Sequence, residues 1–187
     1  MLKRIRNSLI LVALVVMAAS ALSVHAEDWS SYTPVHSSGS GDGDWWTTYP
    51  KINENSGATV SHPSWVLEAL KEKPVLILVH SSDCKPCIAQ IASIKAALET
   101  YGSSLNYFDL LGEGGGITKA IETLDVYNPA GGAQYVPTTI FVTLIKGSDG
   151  KVLVAWHSVI DAMSDKDLTD YIKDSIYYHQ QNAAAWG

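Results

Sequence analysis

The chain has 187 residues and only two cysteines, which stand three apart in Cys84-Lys85-Pro86-Cys87. A dithiol at this spacing lies within one helical turn, close enough to close a disulfide and to open it again by thiol exchange. An apolar run, residues 74–79, leads into the pair, and a helix-like pattern over residues 88–100 leads out. At such a strand-to-helix junction Cys84 falls at the helix N-terminus. Unpaired N–H groups and the macrodipole there favour an anion. That setting lowers a thiol's pKa and supplies thiolate, the reactive form, near neutral pH.

The first 26 residues read as an export signal. Lys3, Arg4 and Arg6 form a basic start, residues 9–19 are unbroken apolar sequence, and Val24-His25-Ala26 offers small residues for cleavage. The apolar stretch falls short of the roughly 20 residues a membrane span needs, and Ser20 and Ser23 interrupt it. The expected location is therefore exported: periplasmic, cell-surface or secreted. Membrane attachment would arise only through an uncleaved signal.

Beyond residue 26 there are 10 lysines, no arginine and all 19 acidic residues, a net charge of −9. So acidic a surface disfavours nucleic acid and anionic membrane as partners. The sequence has no phosphate loop and no internal repeat.

In an exported chain a lone cysteine pair defaults to a structural disulfide. A ring this short removes little unfolded-chain entropy, so it makes a poor staple and a better reversible couple. Zinc is the other claimant, but it wants four ligands, usually with a second cysteine pair. His80 lies four residues before Cys84, while His62, His157 and His179 are scattered. No metal site is expected, and His80 reads as a residue that ends a strand.

The elements that must position the pair follow from pattern. Residues 27–60 read as a flexible linker or N-terminal arm. Their Gly/Ser/Asp run at 37–44 has no apolar period. Trp45 and Trp46 after it read as an arm docking onto the domain or as a patch for a partner. A short helix follows, with Pro63 in its first turn and Ser61 or His62 as cap. Val75-Leu76-Ile77-Leu78-Val79 is a strand buried on both faces. In the next helix Ile88, Ile91, Ile94 or Lys95, and Leu98 recur at helical spacing and mark its inner side.

A strand at 105–110, a helix at 117–127, and strands at 138–145 and 151–156 joined by Lys146-Gly147-Ser148-Asp149-Gly150 complete the sheet. Ser164, with Asp167 three residues on, caps a last helix with a Leu168, Tyr171, Ile172 and Ile176 stripe. Trp65 and Trp156 read as packing residues. The tail at 183–187 reads as frayed.

With its Cys84-Lys85-Pro86-Cys87 after a buried strand and Val136-Pro137-Thr138 before a hairpin, the chain resembles the thioredoxin-fold family over about residues 61–180. The resemblance implies an α/β, thioredoxin-like fold: a central mixed four- to five-stranded sheet flanked by helices, occupying residues 61–187. It implies a cis bond at Pro137 opposite the dithiol, X–Pro being the one place such a bond is cheap. It implies that Val136 pairs by its backbone with an extended substrate and that Pro137 shapes the groove. Cys84 would be the attacking thiolate and Cys87 the resolving thiol.

Lys85, Pro86 and Asp83 would tune the couple, the Lys85 cation favouring thiolate and Asp83 opposing it. No cofactor is implied beyond the Cys84–Cys87 disulfide itself. The implied activity is thiol–disulfide exchange by a monomer, acting on protein disulfides and recharged by an electron-donor protein. An oxidant or isomerase, or a non-catalytic binding domain with a structural disulfide, are the alternatives. Two departures stand out. Asp83 replaces the Trp usual before the first cysteine. Leu78 replaces the buried Asp that assists the resolving thiol, and Asp109, at a strand end, reads as solvated.

Overall fold

The computed structural model describes residues 29–186. The export signal expected at 1–26 lies outside the described residues. The regular elements are α1 (Ser64–Leu70), β1 (Val75–His80), α2 (Lys85–Tyr101), β2 (Asn106–Leu111), α3 (Ile117–Tyr127), β3 (Thr138–Lys146), β4 (Val152–Ile160) and α4 (Asp165–Asn182).

The four strands form one mixed sheet in the order β2-β1-β3-β4. β1 runs parallel to β2, with Ile77 beside Phe108. It runs antiparallel to β3, with Ile77 beside Ile140. β3 and β4 form the hairpin read from the sequence, closed by Gly147 N donating to Lys151 O at 2.8 Å. This is the thioredoxin fold in its four-strand form; no fifth strand is present among the described residues.

The uninterrupted apolar run of β1 serves two cores at once, because successive side chains of a strand point to opposite faces. Val75, Ile77 and Val79 pack with Val66 and Leu70 of α1, Ala120, Leu124 and Tyr127 of α3, Ile140, Val142 and Trp156. Leu76 and Leu78 pack on the other face with Ile94 of α2, Phe141, and Leu168, Ile172 and Ile176 of α4. Among the described residues, no helix is long and apolar enough to cross a membrane.

Residues 29–60 are an arm laid against this sheet, so the linker reading of 37–44 is replaced. Trp46 N donates to Trp156 O at 2.8 Å and Trp156 N donates back at 2.9 Å, a two-residue ladder on the outer edge of β4. By strand alternation Trp45 enters the α4-side core and Trp46 the α1–α3-side core, and both are buried. The Gly/Ser/Asp run is a tight turn feeding that ladder. Gly39 N donates to Trp45 O at 3.0 Å, Trp45 N to Ser37 O at 2.9 Å and Gly41 N to the Asp44 carboxylate at 2.7 Å. Composition marked these residues as loose because it does not register the two indoles that anchor their end.

Smaller differences have local causes. Pro63 is itself the N-cap residue of α1, without a side-chain bond. His62, read as a cap, instead lies with Nδ1 2.9 Å from the Tyr127 hydroxyl. β4 continues four residues past Trp156, because His157 and Ser158 are buried with partners, at Asp44 O and Tyr127 O. Ile88, placed on the buried side of α2, is 60% exposed; the inward stripe is Cys87, Gln90 and Ile94. Trp186, in the tail read as frayed, packs against the α1–α3-side core.

The cap of α4 is present, with Ser164 Oγ accepting from Asp167 N at 3.1 Å. Ser164→Ala is therefore expected to cost about 1 kcal/mol. Urea unfolding would measure it, and an unchanged midpoint would count against the cap.

Candidate functional site

β1 delivers the chain to the end of the sheet at His80, and after four intervening residues α2 begins at Lys85. Cys84 is its N-cap residue and Pro86 lies in its first turn, where a missing N–H costs nothing. Cys84 Sγ accepts a hydrogen bond from Cys87 N at 3.1 Å. Cys84 and Cys87 are joined as a disulfide. Cys84 is partly exposed, while Cys87 faces the sheet and is fully buried. The geometry thus separates one sulfur that solvent can reach from one that it cannot.

Across from the pair, the Val136–Pro137 peptide is cis, as the resemblance implied. Cys84 Sγ lies 3.7 Å from Val136 O; a disulfide sulfur carries no proton, so this is an approach rather than a hydrogen bond. Val136 is partly exposed and Pro137 is buried. Asp83, Lys85 and Pro86 are all exposed around Cys84. The structure therefore brings the dithiol and the Val136–Pro137 step together, with the three flanking residues in solvent.

Two residues not singled out in the sequence support this arrangement. The Glu113 carboxylate accepts from Ser82 N at 2.6 Å and from Ser82 Oγ at 3.0 Å, tying the loop after β2 to the turn before Cys84. Gln90, fully buried one turn beyond Cys87, accepts from Met163 N at 2.8 Å. Two residues before Met163, Asp161 N donates to Pro137 O at 2.8 Å. Asp161 holds a left-handed φ of 78°, a conformation its short polar side chain tolerates, with its carboxylate accepting from Ala162 N at 2.7 Å. The segment 161–163 so clamps the proline step to the dithiol helix. Glu113 had no signal in the sequence. Gln90 had one: it is the polar member of the stripe shared by Cys87 and Ile94.

Leu78 is fully buried on the α2 side of the sheet, where a carboxylate could have served Cys87. Asp109 is half-exposed and pairs with the other strand-end residue, His80, Nε2 to Oδ1 at 2.8 Å. Among the described residues, no three His, Cys, Asp or Glu side chains converge as metal ligands.

No protein-family model matches this chain, and no curated protein does. Among solved structures, a thioredoxin of Malassezia sympodialis is 17% identical, with 63% of this chain and 87% of that chain covered and a TM-score of 0.42. A thiol:disulfide interchange protein of the thioredoxin family from Chlorobium tepidum is 16% identical, covering 58% of this chain and 83% of that chain, with a TM-score of 0.40. Thioredoxin O2 of Arabidopsis thaliana is 18% identical over 59% of this chain and 82% of that one, with a TM-score of 0.40. Likeness this distant adds no argument about activity; the strand order and the placement of the dithiol beside the proline step carry the fold assignment by themselves.

Proposed function

We propose that this chain is an extracytoplasmic thiol–disulfide oxidoreductase that reduces protein disulfides with the Cys84–Cys87 couple. The observation that carries the reading is the asymmetry of the pair: an accessible Cys84 sulfur at the start of α2, against a fully buried Cys87. In the reduced protein, Cys87 N and the N-terminal end of α2 stabilise negative charge on Cys84.

The Cys84 thiolate attacks one sulfur of the substrate disulfide, forming a mixed disulfide and releasing the other substrate sulfur as thiolate. Cys87 then loses its proton and attacks Cys84, closing the internal disulfide and releasing the second substrate sulfur. Two electrons pass from this protein to the substrate. A donor dithiol outside the chain must return them, so an electron-donor protein is part of the cycle. Val136 offers its backbone to an extended substrate beside Cys84, as an added strand would be held, and Pro137 shapes that groove. Lys85 favours the thiolate, Asp83 opposes it, and Pro86 fixes the first turn of the helix between the two sulfurs. Extracytoplasmic action rests on the basic-then-apolar character of the first 26 residues.

The reducing direction is tested by the potential of the couple. Equilibration with glutathione is expected to place it nearer −270 mV than −120 mV, on the scale spanned by reducing and oxidising dithiols. A value near the oxidising end would assign the chain to disulfide formation instead.

A further inference from the structure

A cavity of about 410 Å³ opens where the arm meets the sheet. It is lined by His36 and Asp42 of the arm, His157 of β4, Met163 of the following loop, and Asp167 and Tyr171 of α4. None of these belongs to the dithiol or to the proline step. Its Met163 wall is nevertheless linked to both neighbourhoods, since Met163 N donates to Gln90 of the dithiol helix and, two residues earlier, Asp161 N donates to Pro137 O.

His157 and two carboxylates turn acceptor atoms toward this cavity. His157 is 2% exposed, and its Nδ1 lies 2.9 Å from Asp44 O, a carbonyl, so Nδ1 carries the ring proton. Burial pushes its pKa down to about 4, which leaves the ring neutral near pH 7. Nε2 is then a bare lone pair, without a partner among the described residues, on a side chain that lines the cavity. His36, on the arm side, is committed through Nδ1 to Asp174 Oδ2 at 2.8 Å.

Tyr171 has spent its donor on Gly43 O at 3.0 Å, and its ring lies stacked between His36 at 3.8 Å and His157 at 4.1 Å. The Ser164 hydroxyl donates to Asp167 Oδ2 at 2.7 Å, which leaves Asp167 Oδ1 to the cavity. Asp42 adds a second, exposed carboxylate. Acceptors and two carboxylates call for a cation rich in donors. The His, Cys, Asp and Glu groups described do not converge as metal ligands. A guanidinium with five N–H groups, or an ammonium with three, on a flexible stem meets the requirement.

We infer that this cavity is a subsite for an arginine or lysine side chain of the polypeptide whose disulfide is bound at Cys84. The assignment rests on the redox reading above and narrows its substrates to basic ones. The net charge of −9 after residue 26 draws such substrates toward the surface before they dock.

The test uses disulfide peptides in which arginine, lysine or glutamine is scanned through the positions flanking one half-cystine. In at least one register the basic peptides should show a KM lower than the glutamine peptide by about fivefold to tenfold, the worth of one or two partly exposed charge pairs, with kcat unchanged. An Asp42→Asn/Asp167→Asn double variant should lose that preference while reducing the glutamine peptide as before. Equal KM values across the scan would overturn the subsite.

If the folded protein turned over no peptide at all, the redox reading would fall, and a second measurement would decide the cavity on its own. Argininamide titrated into the full chain carrying ¹⁵N-labelled histidine should shift the His157 Nε2 resonance, and an unmoved resonance would overturn the subsite. A shifted resonance without any KM preference would overturn its assignment to substrate.

Discussion

Cys84→Ser is expected to abolish dithiothreitol-coupled insulin reduction, lowering the rate by more than about a thousandfold, to that of dithiothreitol alone. The expectation follows from accessibility. Cys87 is fully buried, so it cannot take over as the attacking sulfur when Cys84 is gone. Cys87→Ser has a different signature, since Cys84 still attacks but nothing resolves the product. That variant should accumulate covalent partners on a non-reducing gel. The parent protein should show a few as well, because Leu78 leaves Cys87 without a neighbouring carboxylate to take its proton. In the reduced parent, iodoacetamide at pH 6–7 should modify Cys84 quickly and Cys87 slowly. Equal activity of the Cys84 variant and the parent would remove the chain from redox enzymes and leave a binding domain.

Asp174→Ala should lower the unfolding free energy by about 3–5 kcal/mol, as breaking a buried charged network does. Asp174 is fully buried on α4 and accepts four hydrogen bonds from the arm. The donors are Tyr32 Oη at 2.6 Å, Val35 N at 2.9 Å, His36 N at 2.8 Å and His36 Nδ1 at 2.8 Å. Burial and the Asp174 carboxylate push the Tyr32 phenol's pKa upward, so its proton stays in that bond.

An alanine leaves all four donors without an acceptor, each worth about 1–3 kcal/mol if it stays dry. Water reaching the surface side of the arm, where Val35 is 56% exposed, keeps the loss below that sum. Asp174→Asn retains one acceptor oxygen and should fall between the two. The melting temperature of the alanine variant should drop by roughly 6–20 °C. A loss under about 1 kcal/mol in urea would mean that the arm is not fastened there.

The parts of this molecule written in local pattern were legible. The five-residue apolar run of β1 is a strand covered on both faces, α3 keeps the bounds read for it, Ile117–Tyr127, and the stripe of α4 is buried. The dithiol came from cysteine spacing, and its place at the start of α2 from the apolar run before it and the helical pattern after it. What escaped are contacts between residues far apart in the chain. Asp174 reads as one more acid on a helix with solvent on its outer side, and its partners lie 138 or more residues away. Glu113 and Ser82 are 31 apart. Trp45 and Trp46 look alike in sequence, and only the ladder with Trp156 shows that they serve opposite faces of the sheet.

That pair of neighbouring indoles also sets the smallest piece of polypeptide that can stand alone. A fragment starting at residue 61 would keep every helix and strand named above. It would also free the Trp156 N–H and C=O on the outer edge of β4 and strip the Trp156 indole of its cover. Insolubility of such a truncation would be a property of the cut, not of the enzyme.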